Sequence, residues 1–103
     1  MTNEDPTALL AALTHPRRRG VLREIRRHSS GISPKEVAKN LDESLQAVGY
    51  HCRVLRDCGA VELVRQEQVR DALKNYYRFT MTDSWALAVL DQDDEEKEAA
   101  TEG

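Results

Sequence analysis

Apolar residues recur at helical spacing in four successive stretches before the period changes to two. Leu9, Leu10, Ala12 and Leu13 form the first, and Asp5 followed by Pro6 has the form of an N-cap with proline at the first helical position. Thr14, His15 and Pro16 interrupt it. A second helix is predicted from Pro16 to about His28, with Val21, Leu22 and Ile25 on one face and Arg17, Arg18, Arg19, Arg23, Arg26 and Arg27 over the rest, ended by Ser29, Ser30 and Gly31. Ser33 to Glu36 is an S-x-x-E capping box with Pro34 at N1, and it opens a third helix with Val37, Ala38 and Leu41 inward. Ser44 caps a fourth, about 45–57, in which Val48, Cys52 and Leu55 share a face and Gly59 supplies a left-handed stop.

Beyond Gly59 the alternation of Val61, Leu63 and Arg65 with Glu62, Val64 and Gln66, followed by Tyr76 to Thr80, predicts a β-hairpin over about 61–80. Its connection, Glu67 to Asn75, has neither glycine nor proline, so a long loop with a mobile tip is expected. A last helix is expected from about Asp83 to Leu90, with Trp85, Leu87, Val89 and Leu90 apolar, and residues 91–103 form an acidic tail expected to be disordered. The fold class is therefore mainly α with a β-hairpin: a domain over 1–90 of about five helices and a two-stranded wing, in which the third and fourth helices, joined by Asp42, Glu43 and Ser44, make a helix-turn-helix.

The chain's 103 residues suffice for one domain. No apolar run approaches membrane-spanning length, and the acidic start does not resemble a signal peptide, which predicts a cytoplasmic protein without a membrane partner. Two cysteines, Cys52 and Cys58, are too few for a disulfide scaffold and fit a reducing compartment. The net charge of −3 conceals a segregation: residues 15–80 carry +6, while residues 81–103 carry −7. A basic body points to a polyanionic partner, although a solvated surface would give the same count.

The string ALTHPRRRGVLREI, then SPKEVAKNL, then AVGYHCRVLRDCGAVELV and NYYRF resembles the ArsR-type winged helix-turn-helix transcriptional regulators over about residues 8–80. The resemblance implies a sequence-specific binder of double-stranded DNA, a homodimer and a repressor. In that architecture the fourth helix enters the major groove, and the positions opposite its apolar face, Gln46, Ala47, Gly49, Tyr50 and Arg53, are the candidate base readers. Gln can bond adenine bidentately and Arg guanine, while Ala47 offers a methyl contact to thymine. Lys35, Lys39 and Arg56 near the turn, with Arg65, Arg70 and Lys74 on the wing, are candidate phosphate contacts. The Arg17 to Arg19 run at a helix start is locally unfavourable and calls for an internal acid or an external anion. Leu9, Leu10, Leu13, Trp85, Val89 and Leu90 exceed what one small core needs and form the candidate dimer interface.

Several positions depart from the family pattern. The third helix lacks the cysteines, and the last region the histidines, through which such regulators hold metals, so no metal or other cofactor is expected. Glu43 stands where an apolar turn residue is usual, which either loosens the turn or rotates Glu43 outward; Gly49 replaces a frequent serine; the wing tip lacks the usual Gly-Arg. No nucleophile and base pair, carboxylate pair or phosphate-binding glycine loop stands out, which disfavours an enzyme. Two other readings remain open at this level: a winged-helix module that binds proteins, and a thiol sensor using Cys58, expected to be exposed at its helix end. The sequence names no effector.

Overall fold

The structure is a computed structural model that describes residues 6–92. Four helices, α1 (Pro6–Leu13), α2 (Pro16–Arg26), α3 (Pro34–Leu41) and α4 (Leu45–Asp57), precede an antiparallel hairpin of β1 (Val61–Val69) and β2 (Ala72–Phe79). A fifth helix, α5, covers 84–92. This is the winged helix-turn-helix arrangement expected of the pattern. Asp5 and residues 93–103 lie outside the described residues, while residues 91 and 92, expected in the tail, belong to α5, where Asp91 is held by Arg26 of α2 at 3.0 Å.

Helix starts follow the capping chemistry. Ser33 accepts the backbone N–H of Glu36, and Ser44 that of Ala47. The box at Ser33 is closed in its own way: the serine hydroxyl also donates to the Glu36 carboxylate at 3.0 Å. α2 begins on His15, whose Nδ1 accepts the N–H of Arg18 at 3.4 Å, and stops at Arg26, two residues before the expected His28. α3 ends on Asp42 in the left-handed conformation (φ 55°), and α4 ends before Gly59 (φ 85°), where Ala60 N–H returns to the Leu55 carbonyl.

Val21, Leu22, Ile25, Val37, Val48, Cys52 and Leu55 form the centre of the core. Leu9, Leu13 and Leu90 join the same cluster at 4%, 2% and 0% exposure. That corrects the expectation that these three are spare apolar surface: α1 and α5 turn them into the chain's own core. Leu10 and Trp85 stay exposed, and Val89 is half-buried.

Glu24 ties α2 to α3 from a buried position. Its carboxylate accepts from Asn40 at 2.8 Å, meets His28 at 3.0 Å and lies 3.6 Å from Arg27. Burial alone would raise its pKa, but the bonds from Asn40 and His28 and the neighbouring charges outweigh it and hold the carboxyl below its ordinary 4.5. The folded state then binds fewer protons than the unfolded one. The Glu24 contribution is complete above 4.5 and is lost as pH falls through the folded value. Glu24→Gln should flatten the acid limb of a urea-stability profile, and an unchanged limb would count against this bracket.

The hairpin differs from the expected long loop. Its strands continue to Val69 and Ala72, leaving a two-residue turn at Arg70 and Asp71. Arg70 takes a positive φ of 57°, doing what glycine usually does in such turns, and Gln66 and Gln68 tie the ends through Asn75 and the Arg70 carbonyl. One extra residue, Val64, lies in a bulge between Leu63 and Arg65. Adjacent Tyr76 and Tyr77 serve opposite faces: Tyr77 belongs to the core, while Tyr76 is covered by Arg65 and Lys74. Ile32 pairs with Tyr77 through two backbone hydrogen bonds, so the wing is fastened directly in front of α3.

Candidate nucleic-acid interface

α4 presents Gln46, Tyr50 and Arg53 to solvent along one stripe, opposite the buried Val48, Cys52 and Leu55. Ala47 and Gly49 are half-exposed between them. A Cβ added at Gly49 would meet nothing within 4 Å, so the backbone there is open to close approach. The structure thus brings the five predicted reading positions to the outer side of one capped helix. The turn before it is held rather than loosened: Glu43 N–H donates to the Ala38 carbonyl, and its half-buried side chain accepts from Arg17 at 3.1 Å.

The arginine run is resolved the same way, by internal partners. Arg18 reaches the carbonyl of Ala12 and Arg19 that of Leu13, at 3.5 and 2.7 Å, so both cap the C-terminus of α1, where positive charge is favoured by the helix dipole. Arg18 is itself buried, a role its place on an arginine-rich surface did not announce.

The candidate phosphate contacts divide into two groups. Lys35, Lys39, Arg56 and Arg70 are exposed, with no ion pair to another described residue. Arg65 instead lies 3.9 Å from the centre of the Tyr76 ring and 3.6 Å from Glu67, whose other carboxylate oxygen accepts from the Tyr76 hydroxyl. Lys74 lies 3.7 Å from Glu36 of α3; the Tyr76 hydroxyl, Glu36 and Glu67 push its pKa up. Lys74 therefore ties the wing to α3, while Arg65 is engaged within the wing and at the Ser30 carbonyl. Between α3, the start of α4 and the wing tip runs an open groove of about 760 Å³, lined by Pro34, Lys35, Leu45, Val69, Arg70 and Lys74 among others. Leu45 and Val69 are exposed here, as is Leu73. On a helical wheel Leu45 falls near Cys52, yet it is exposed, so periodicity alone misplaces it.

Cys58 overturns the premise of the thiol sensor. It is 4% exposed, its Sγ donates to the Leu55 carbonyl at 3.4 Å, and burial pushes its pKa up, whereas a sensing thiol needs access and thiolate character. Cys52, also buried, is pushed up to about 12. Among the described residues, no group of three His, Cys, Asp or Glu gathers as a metal site, and no helix is long and apolar enough to cross a membrane.

A family model described as a helix-turn-helix domain matches residues 13–64, from the end of α1 through β1 to its bulge. An ArsR-like transcriptional regulator from Rhodococcus sp. RHA1 is similar in structure, with a TM-score of 0.56 and 25% identity over 93% of this chain and 81% of that one. The chain belongs to the ArsR-type winged helix-turn-helix family. No curated protein matches the sequence. As a member of this family the protein is a DNA-binding transcriptional regulator, a class that is generally not enzymatic. The family match covers α3, the turn and α4 in full, the elements that carry the exposed stripe.

Proposed function

We propose that this regulator is a homodimeric repressor that reads a pseudo-palindromic operator, with α4 in the major groove and the wing on the backbone or in the minor groove. The observation that carries the reading is the exposed stripe of Gln46, Tyr50 and Arg53 across the open backbone at Gly49. Arg53 has no ion pair to another described residue, so its guanidinium is available for the N7 and O6 of a guanine. Gln46 suits adenine, Ala47 a thymine methyl, and Tyr50 a base or phosphate. Lys35, Lys39, Arg56 and Arg70 set the register on phosphates, with Arg65 and Lys74 acting mainly by holding the wing. Exposed Leu10 on α1 and Trp85 on α5, with half-buried Val89, support a dimer contact. Two copies of α4 would then address half-sites about 34 Å apart. Occupancy of a promoter excludes other proteins by itself, so repression requires nothing beyond binding.

The test is fluorescence anisotropy of the full chain with the duplex upstream of its own coding sequence against a scrambled duplex. A preference of about a thousandfold or more is expected. Weak, equal binding to both would overturn the reading in favour of a protein-binding module. Within a specific complex, Arg53→Ala should relax preference at one base pair by about 1 to 3 kcal/mol, and an equal loss on every sequence would remove Arg53 as a reader.

A further inference from the structure

Behind the exposed stripe of α4 lies a buried cluster that base reading does not use. His51 is 7% exposed, and its Nδ1 accepts a hydrogen bond from Arg18 Nε at 3.3 Å. The backbone N–H of the same arginine donates to Nδ1 of His15, and the two imidazoles meet edge to face at 4.8 Å. An imidazole accepts at Nδ1 only while that nitrogen carries no proton, so the bond from Arg18 requires the His51 ring with a free Nδ1. The Arg18 guanidinium also lies 5.7 Å from the centre of the Tyr50 ring, and the Tyr50 and His51 rings are 5.7 Å apart. One buried arginine thus touches a histidine on the inner side of α4 and an aromatic ring on its outer side.

We propose that Arg18 and His51 are positioning residues for Tyr50, and that protonation of His51 breaks their bond and weakens DNA binding on acidification. The proposal rests on the reading of α4 as the DNA-facing helix. Burial and the Arg18 charge hold His51 below its ordinary 6.5, with His15 from the α1–α2 joint and Arg17 from α2 acting in the same direction. Glu43 from the turn opposes them, but Arg17 already engages it. The neutral ring is favoured in the folded state, so its contribution is complete above 6.5 and is lost as pH falls from there through the folded value. The sign is diagnostic. Added positive charge on a DNA-binding protein ordinarily tightens its complex, whereas this coupling loosens it.

Anisotropy with the upstream duplex at constant ionic strength should show wild-type affinity falling about tenfold between about pH 7.5 and the lowest pH at which circular dichroism still shows the fold intact. His51→Gln keeps an acceptor but does not titrate, and its affinity should stay level or rise over the same range. Wild-type affinity that is unchanged or tighter in acid, or a His51→Gln loss equal to the wild type's, would overturn the proposal. A measurement without DNA separates this from the functional reading: the Arg18 Nε–H and Tyr50 ring resonances should shift together with one midpoint. If they do so while no duplex is bound at neutral pH, the DNA reading of α4 fails and with it the affinity coupling, though the positioning of Tyr50 stands; an Arg18 signal indifferent to the titration overturns the positioning itself.

Discussion

Replacing Gly31 by alanine should cost about 3 kcal/mol of stability, a large part of what a domain of this size possesses. Gly31 sits at φ 109°, outside the regions open to a residue with a Cβ, and that Cβ would lie 2.9 Å from Cγ2 of Val64. Val64 is the bulge residue of β1, and the next residue along from Gly31, Ile32, makes both backbone bonds to Tyr77. Strain at this point is therefore delivered to the junction that fastens the wing in front of α3. Urea unfolding of Gly31→Ala, Val64→Ala and the double variant partitions the effect. Val64→Ala removes the clashing methyl, so the double variant should recover the steric part, roughly half, and leave the dihedral part. A single variant within about 0.5 kcal/mol of wild type would mean that neither constraint operates.

The sequence made the helical half of this fold legible because its signals are local. Ser33 and Ser44 cap the helices they were expected to cap, and Gly59 ends α4, since a capping hydroxyl and a left-handed stop act within a few residues. The hairpin turn was not legible. Its positive φ falls on Arg70, where nothing in the residue type announces it, and the strand pairing that enforces it comes from residues on either side. The burial of Leu9, Leu13 and Leu90 depends on where α1 and α5 dock, which an apolar count cannot locate. At the interface, the stripe from Gln46 to Arg53 followed from periodicity. The division between cations left available and cations spent on Tyr76, Glu36 and the end of α1 did not, because each spending partner lies on another element.

Duplex affinity should fall about 10⁴-fold between about 50 and 200 mM salt, and the slope counts protomers. Lys35, Lys39, Arg56 and Arg70 are the exposed candidate phosphate contacts without an ion pair to another described residue. A dimer bringing four from each copy neutralises about eight phosphates, which releases counterions with a slope of log K against log salt of about −7. One protomer acting alone gives about −3.6 and a loss of only about 10²-fold over the same range. Arg65 and Lys74 are left out of the count because their charge is already engaged, so Lys74→Ala should leave the slope nearly unchanged while loosening the wing. Arg70→Ala should lower the slope by about one unit per protomer on every duplex, matched or scrambled. A slope near −3.6 with sequence preference intact would overturn the dimer and keep the DNA reader. A shallow slope without preference would remove the DNA reading of α4 altogether, because an exposed helix flanked by uncommitted cations cannot bind a duplex without displacing the ions that surround it.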